Sequence, residues 1–216
     1  DLQLIMEKIM NNLLEASKDS GLEKSFHLHL MPNLGLKNGS EIMKYATQNE
    51  FGTTDIQFII NGAIKEAGLL LILNKYISEK TGVYPFGANF NVRNAPKTLD
   101  KLIDLCRNKI PRDQMPLLIG IGDTVTSVKD DQTNSWLRGG SDRGFLTLIQ
   151  RLGESYKKEN QVIFVNSCND QVSRPRVNGT DMQGISDAND DLKFNLVIND
   201  GPKEYIKWFK QLASKF

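Results

Sequence analysis

Several things are scarce in this 216-residue chain, and each scarcity removes a class of explanation. Cysteine occurs twice, as Cys106 and Cys168, with no CxxC and no second pair. That excludes a disulfide framework and a cysteine-based zinc knuckle, and leaves two incidental thiols in a reducing compartment. Charge of one sign is also missing, because 27 Lys and Arg face 26 Asp and Glu for a formal net charge of +1. No long-range field exists to gather a polyanion or an anionic surface, so neither nucleic acid nor membrane is expected as a partner. The longest apolar runs, LLLIL at 69–73 and LLIGI at 117–121, fall far short of the roughly 20 residues a bilayer span needs. There is no G-x-S-x-G, and the glycines of GIGD (120–123) and GG (139–140) make neither a P-loop nor a dinucleotide fingerprint. The chain opens on Asp1 rather than Met, without a signal-like segment, and runs at once into an amphipathic pattern. It is therefore expected to begin inside a larger protein.

What is present reads as an α/β protein, long enough to bury a core as one domain or one and a fraction. LQLIMEKIMNNLLEAS spaces Leu4, Ile5, Ile9, Leu13 and Leu14 helically. SFHLHLMPN alternates like a strand with one wet face, SEIMKYATQN is expected to be a short helix capped by Ser40, and TTDIQFII is a second strand. AIKEAGLLLILNKYISEK predicts a helix, the Gly/Pro/Asn-spaced stretch 81–96 a loop, residues 97–108 another helix, and MPLLIGIG a strand. A polar excursion spans 124–140. After it come a helix headed by Ser141 or Asp142, the strand QVIFVNS, a polar segment at 168–191 expected to be a mobile loop, the strand KFNLVIN, and a closing helix with Pro202 near its first position. Helices alternating with strands from residue 63 onward predict a largely parallel sheet.

In such a sheet ligands bind beyond the carboxyl ends of the strands, where Asp123 falls. A carboxylate there suits a hard cation such as Mg2+, which needs a further oxygen ligand. Asp130 and Asp131 lie in a KDDQTN turn, whereas Asp142 follows Gly139-Gly140 at the head of a helix that fixes it, and so is the better partner. On spacing alone, a turn-forming Asp123 and an N-capping Asp142 explain the same residues. Lys65, in the first turn of a helix that enters directly from a strand, can reach an anion beyond the sheet; by itself it reads equally as a solvated lysine. His27 and His29 share a strand face, but no third ligand completes a zinc site.

A strand, then Lys65 opening a helix, an apolar strand ending in Gly122-Asp123, and an acid heading another helix resemble the second half of a haloacid dehalogenase-type phosphatase. The runs PNLGLKNGSEIMKYA, FGTTDIQFIINGAIKEAGLLLILNKY, TGVYPFG, MPLLIGIGDTVTS and RGGSDRGFLTLIQRLG narrow the likeness to the cyanobacterial salt-tolerance, or glucosylglycerol-phosphate, phosphatase family. The likeness runs from residue 1 to 152 and fades in the polar region that follows. It implies a Rossmann-like core at 61–216 lacking its first strand, and part of an α+β cap at 1–60. It further implies a cytoplasmic, Mg2+-dependent hydrolase that removes phosphate from glucosylglycerol 3-phosphate through an aspartyl-phosphate, as part of compatible-solute synthesis under salt stress. Lys65 would steady the nucleophile and the phosphate, while Asp123 and Asp142 would serve the metal. Thr53, Thr54, Asp55, Arg138 and Arg143 become candidate contacts to a sugar phosphate, though each reads as readily as a surface residue.

The family's acids stand only a few residues apart, whereas here VTSVKDDQTNSWLRGG intervenes, which makes Asp142 the less direct match. The nucleophilic D-x-D after an apolar strand is absent, so the nucleophile is expected upstream of Asp1 and the piece alone is expected to be inactive. Two rivals stand beside this reading: a non-catalytic α/β module that lost its site, and a sucrose- or trehalose-phosphate phosphatase.

Overall fold

The computed structural model describes residues 2–37, 40–130, 133–167 and 182–214. Helix α1 (Leu2–Asp19) leads into β1 (Phe26–Met31), the two-residue strands β2 (Leu36–Lys37) and β3 (Ser40–Glu41), and β4 (Asp55–Ile60). Helices α2 (Lys65–Thr81) and α3 (Leu99–Lys109) follow, then β5 (Ile119–Gly122), β6 (Thr126–Asp130), β7 (Ser135–Gly139), α4 (Arg143–Tyr156), β8 (Gln161–Val165), β9 (Leu196–Ile198) and α5 (Pro202–Ala213). Strands β5, β8 and β9 form a parallel sheet in that order, with Gly122 opposite Phe164 and Val165 opposite Ile198. Antiparallel pairs β1–β4, β2–β3 and β6–β7 stand apart from it. The expected α/β class holds, and the sheet of β5, β8 and β9 is parallel as the element order implies, while the β6–β7 pair between them is antiparallel.

One face of the parallel sheet is covered by α4, on which α2 and α3 pack, and Leu70, Leu73, Leu102, Leu146 and Leu152 of the three helices share one buried core with Val162 and Phe164. Glycine alternation in β5 makes this possible. A Cβ on Gly120 would stand 2.6 Å from Ile149 Cδ1, and one on Gly122 would stand 2.8 Å from Asp142 Cβ. Only hydrogen at both positions lets α4 lie this close to the strand. The isoleucines that alternate with them point the other way and are exposed, Ile119 at 59% and Ile121 at 40%. On the opposite face of the sheet Tyr205 of α5 packs on Ile163, Val165 and Ile198 of β8 and β9. Among the described strands β5 pairs only with β8, so it has one unpaired edge and one bare apolar face. Parallel strands are ordinarily covered on both faces.

Cys106 lies in this core, with no exposed surface, and burial pushes its thiol up to about 12. A thiolate is the reactive form. Iodoacetamide at pH 8 is therefore expected to leave Cys106 unlabelled in the native protein and to modify it after urea, as read by peptide mass mapping; rapid native labelling would contradict this placement. Cys168 lies outside the described residues.

One local expectation is corrected. The segment SEIMKYATQN is not a helix capped by Ser40, because its polar groups bond sideways rather than along the chain. Glu41 accepts from the Leu30 amide at 2.6 Å and contacts His29 Nδ1 at 2.9 Å, while the Lys44 amide donates to Thr53 Oγ1 at 2.9 Å. The polar excursion 124–140 holds the paired strands β6 and β7, with Thr126 opposite Gly139. Of the 168–191 segment expected to form a mobile loop, residues 168–181 lie outside the described residues; 182–191 are ordered by contacts to β6, β7 and α4. Helix α1 forms as its periodicity predicts. It buries Gln3 and Ser17, however, while Leu2, Ile5 and Ile9 on another face stay exposed.

Candidate active site

At the carboxyl end of β5 the backbone reaches Asp123, and the next strand of the sheet, β8, ends two residues before Ser167. The Ser167 hydroxyl donates to Asp123 Oδ2, and the Thr124 hydroxyl donates to Oδ1 at 2.7 Å. Parallel neighbours put their carboxyl ends on one side of the sheet, so residues 44 apart in sequence meet there.

Asp142 occupies the N-cap position of α4 yet makes no side-chain bond to its own helix. Its carboxylate turns back over Gly122 instead. Oδ2 accepts the amides of Asp123 and Thr124, both at 2.9 Å, and Oδ1 accepts from Lys65 Nζ. Lys65 also reaches Ser141 Oγ at 3.3 Å. Asp142 is buried at 4% exposure, whereas the Lys65 side chain is half exposed. The pair therefore carries a charge-assisted bond with one face toward solvent. Glu66, the next residue of α2, lies against the first turn of α4, since a Cβ on Gly144 would collide with its Oε1. Burial raises the Glu66 carboxyl above the usual Glu range, against the lowering effects of its own backbone amide and of the nearby Lys65 charge.

The structure thus brings Lys65, Asp123 and Asp142 together. Sequence reading missed Thr124, Ser141, Ser167 and Glu66; three of these adjoin a predicted residue, and Ser167 follows from sheet order. Both arginines are engaged with acids. Arg143 binds Asp190 through Nη1 at 2.9 Å and Nη2 at 3.0 Å, and also donates to the carbonyls of Gly139, Thr126 and Ile185. Arg138 donates to Ser127 Oγ at 2.6 Å, to Asp190 at 2.8 Å and to Asp187. Burial acts to raise the Asp190 carboxyl, but the bonds and charge of Arg143, the Leu192 amide and the charge of Arg138 outweigh it and hold it below the usual Asp range. The hydrogen bond from Arg138, above all, does the same for Asp187. Thr53 is fully buried between Lys44 and Gln3, Thr54 bonds to the Met31 carbonyl, and exposed Asp55 accepts from Gln57. Asp130 pairs with Lys37 at 3.3 Å, and Asp131 lies outside the described residues.

Carboxylate and hydroxyl oxygens at one sheet end are hard donors of the kind Mg2+ takes. Two partners of Asp123 are hydroxyls, which rotate aside at small cost, and this suits it to that role. Asp142 suits it less, with one oxygen held by two amides and the other by Lys65. Among the described residues no group of three His, Cys, Asp or Glu converges, and His29 is engaged with Glu41. A cation here would need further oxygens from water, from a phosphate or from residues outside this chain.

A model of the glucosylglycerol-phosphate phosphatase family matches residues 1–213. The chain belongs to this family. A curated relative from Synechocystis sp. (strain ATCC 27184 / PCC 6803 / Kazusa), named glucosylglycerol-phosphate phosphatase, is 38% identical over 227 residues, covering 100% of this chain and 54% of the relative. The chain spans about half the length of the curated relative it matches. No solved structure matches it. Membership in a phosphatase family gives the Lys65–Asp142–Asp123 cluster a chemical context that its geometry alone does not supply. Among the described residues no helix is long and apolar enough to cross a membrane.

Proposed function

We propose that this chain is the metal- and phosphate-steadying half of a cytoplasmic phosphatase that hydrolyses glucosylglycerol 3-phosphate. The observation that carries the reading is the meeting of Lys65, Asp142 and Asp123 at the carboxyl end of β5 in a member of this family. Asp123 would hold Mg2+, which when bound offsets negative charge on the phosphoryl oxygens. Asp142 fixes the backbone of Asp123 and Thr124 and holds Lys65, whose ammonium faces the solvent side where a phosphate would lie. Ser141 and Ser167 keep the same two side chains oriented.

The nucleophile is an aspartate outside this chain, on a strand that adds to the free edge of β5 and covers Ile119 and Ile121. Its carboxylate oxygen forms a bond to phosphorus as the bond from phosphorus to the sugar-glycerol oxygen breaks, and the departing oxygen takes a proton from a second acid. Water then releases phosphate and regenerates the carboxylate. Residues 1–60 belong to a cap over the site, and 61–216 to the core.

The test is phosphate release by the full-length protein from glucosylglycerol 3-phosphate, sucrose 6-phosphate and trehalose 6-phosphate, with and without Mg2+. Activity is expected on the first, dependent on Mg2+, and none from residues 1–216 alone. Preference for another of the three would move the substrate. Absence of turnover on all three would favour a non-catalytic module, the reading that the missing D-x-D supports, although such a module has no need of the Lys65–Asp142 pair.

A further inference from the structure

We propose that Asn33 is a positioning residue for the acid cluster, latching the segment after β1 onto the turn that carries Asp142. Its catalytic consequence rests on the phosphatase reading above. The latch itself is a matter of geometry. Asn33 Oδ1 accepts two backbone amides, Gly35 at 3.0 Å and Gly140 at 3.1 Å, and its own carbonyl accepts the Thr126 hydroxyl. One residue from the first 60 is thereby bonded to the start of β6 and to the glycine after β7, the two ends of the hairpin that separates Asp123 from Asp142.

Glycine makes the approach possible. A Cβ on Gly139 would stand 2.6 Å from Asn33 Oδ1 and 2.7 Å from the Leu34 carbonyl carbon, and one on Gly35 would stand 3.0 Å from the Arg138 carbonyl oxygen. Backbone therefore rests on backbone at this junction. Gly140 has φ +98°, a conformation that glycine alone adopts freely, and it turns the chain so that the Asp142 amide donates to the Thr124 carbonyl at 3.0 Å. Two residues beyond the bond from Asn33, the Asp142 carboxylate collects the amides of Asp123 and Thr124. The path from Asn33 to Asp123 is thus Gly140, Asp142 and the amides that Asp142 holds, without a gap.

His29 and Glu41 lie beside the other side of the Asn33 amide, with His29 Nδ1 2.9 Å from Glu41 and 3.2 Å from Asn33 Nδ2; a protonated Nδ1 serves Glu41, so the orientation of Asn33 rests on its Oδ1. With Oδ1 committed to two N–H donors, the side-chain amide cannot flip. Asn33 acts on the reaction through Asp142 and touches neither Lys65 nor phosphate.

The experiment compares Asn33→Ala and Asn33→Asp with wild type in the full-length protein, by amide hydrogen exchange at Asp123 and Thr124 and by kcat and KM for phosphate release. Asn33→Ala removes the acceptor. Exchange at both amides is expected to rise about tenfold and kcat to fall about tenfold, as for one lost, partly buried acceptor, with KM little changed. Asn33→Asp keeps the accepting oxygen and is expected to restore both readouts. Unchanged exchange at Asp123 and Thr124 in Asn33→Ala, or equal losses in the two variants, would overturn the latch. If wild type releases no phosphate while the amides respond as stated, the phosphatase reading fails and the latch stands. Should Asn33→Ala not fold, Thr126→Val, which removes only the hydroxyl donated to Asn33, carries the same exchange test with the same expected direction.

Discussion

Asp123→Asn in the full-length protein is expected to lower the rate of phosphate release about 10²–10³-fold while leaving the fold intact, the scale seen when one preorganised electrostatic group is removed from a reaction centre. Asparagine has the shape of aspartate and still accepts from one of the Thr124 and Ser167 hydroxyls that now hold Asp123. The carboxylate charge that would bind a divalent cation is what goes. Raising Mg2+ should therefore recover part of the loss, and thermal unfolding should shift by no more than a few degrees. Turnover within twofold of wild type at limiting Mg2+ would remove Asp123 from the metal role and take the proposed chemistry with it.

The second large effect is on stability. Arg143→Met leaves Asp190, 3% exposed, without its two-pronged partner and frees the carbonyls of Gly139, Thr126 and Ile185. Removing one partner from a buried ion pair costs about 3–5 kcal/mol, and Arg138 at 2.8 Å from Asp190 offsets part of that here. Urea unfolding of the full-length protein is expected to show the loss directly. Asp187 and Asp190 are both held below the ordinary carboxylate range. A group depressed in the folded state adds stability that is present above its unfolded value, about 4, and fades as pH falls through the lower folded values. Wild type should accordingly lose stability below about pH 4, and Arg143→Met should lose less there, having lost part of that contribution already. If Arg143→Met instead kept full stability and lost affinity for the sugar phosphate, the guanidinium would be a substrate group, as its position beside Asp142 in sequence suggests.

The sequence was readable wherever structure is set by neighbours along the chain. The spacing in 65–81 and 143–156 is helical whatever surrounds it, Gly82 at φ +76° ends α2, and an apolar run closing on Gly122-Asp123 marks a strand end. Lys65, Asp123 and Asp142 were legible for that reason, since each sits at an element boundary. What could not be read depends on distant partners. Ser127 and Asp130 look like surface residues until Arg138 and Lys37 arrive to bury them. The stretch 40–49 has a helical pattern that Glu41 overrides by bonding to β1. Arg138 and Arg143 resemble phosphate ligands because Asp187 and Asp190 lie some 50 residues away, beyond any local pattern.

The hairpin of β6 and β7 bears on how kin of this chain are recognised. Asp142 is held to Asp123 through space, and the hairpin leaves and returns through Thr124 and Gly140, which lie against each other. Because the acids meet through space, their contact does not itself fix how many residues separate them; what Asn33 holds is the base of the hairpin, at Thr126 and Gly140. A search that demands two acids a fixed few positions apart will pass over chains like this one. One that asks for Gly-Asp-Thr at a strand end and Gly-Ser-Asp at a helix start, with any length between, will find them.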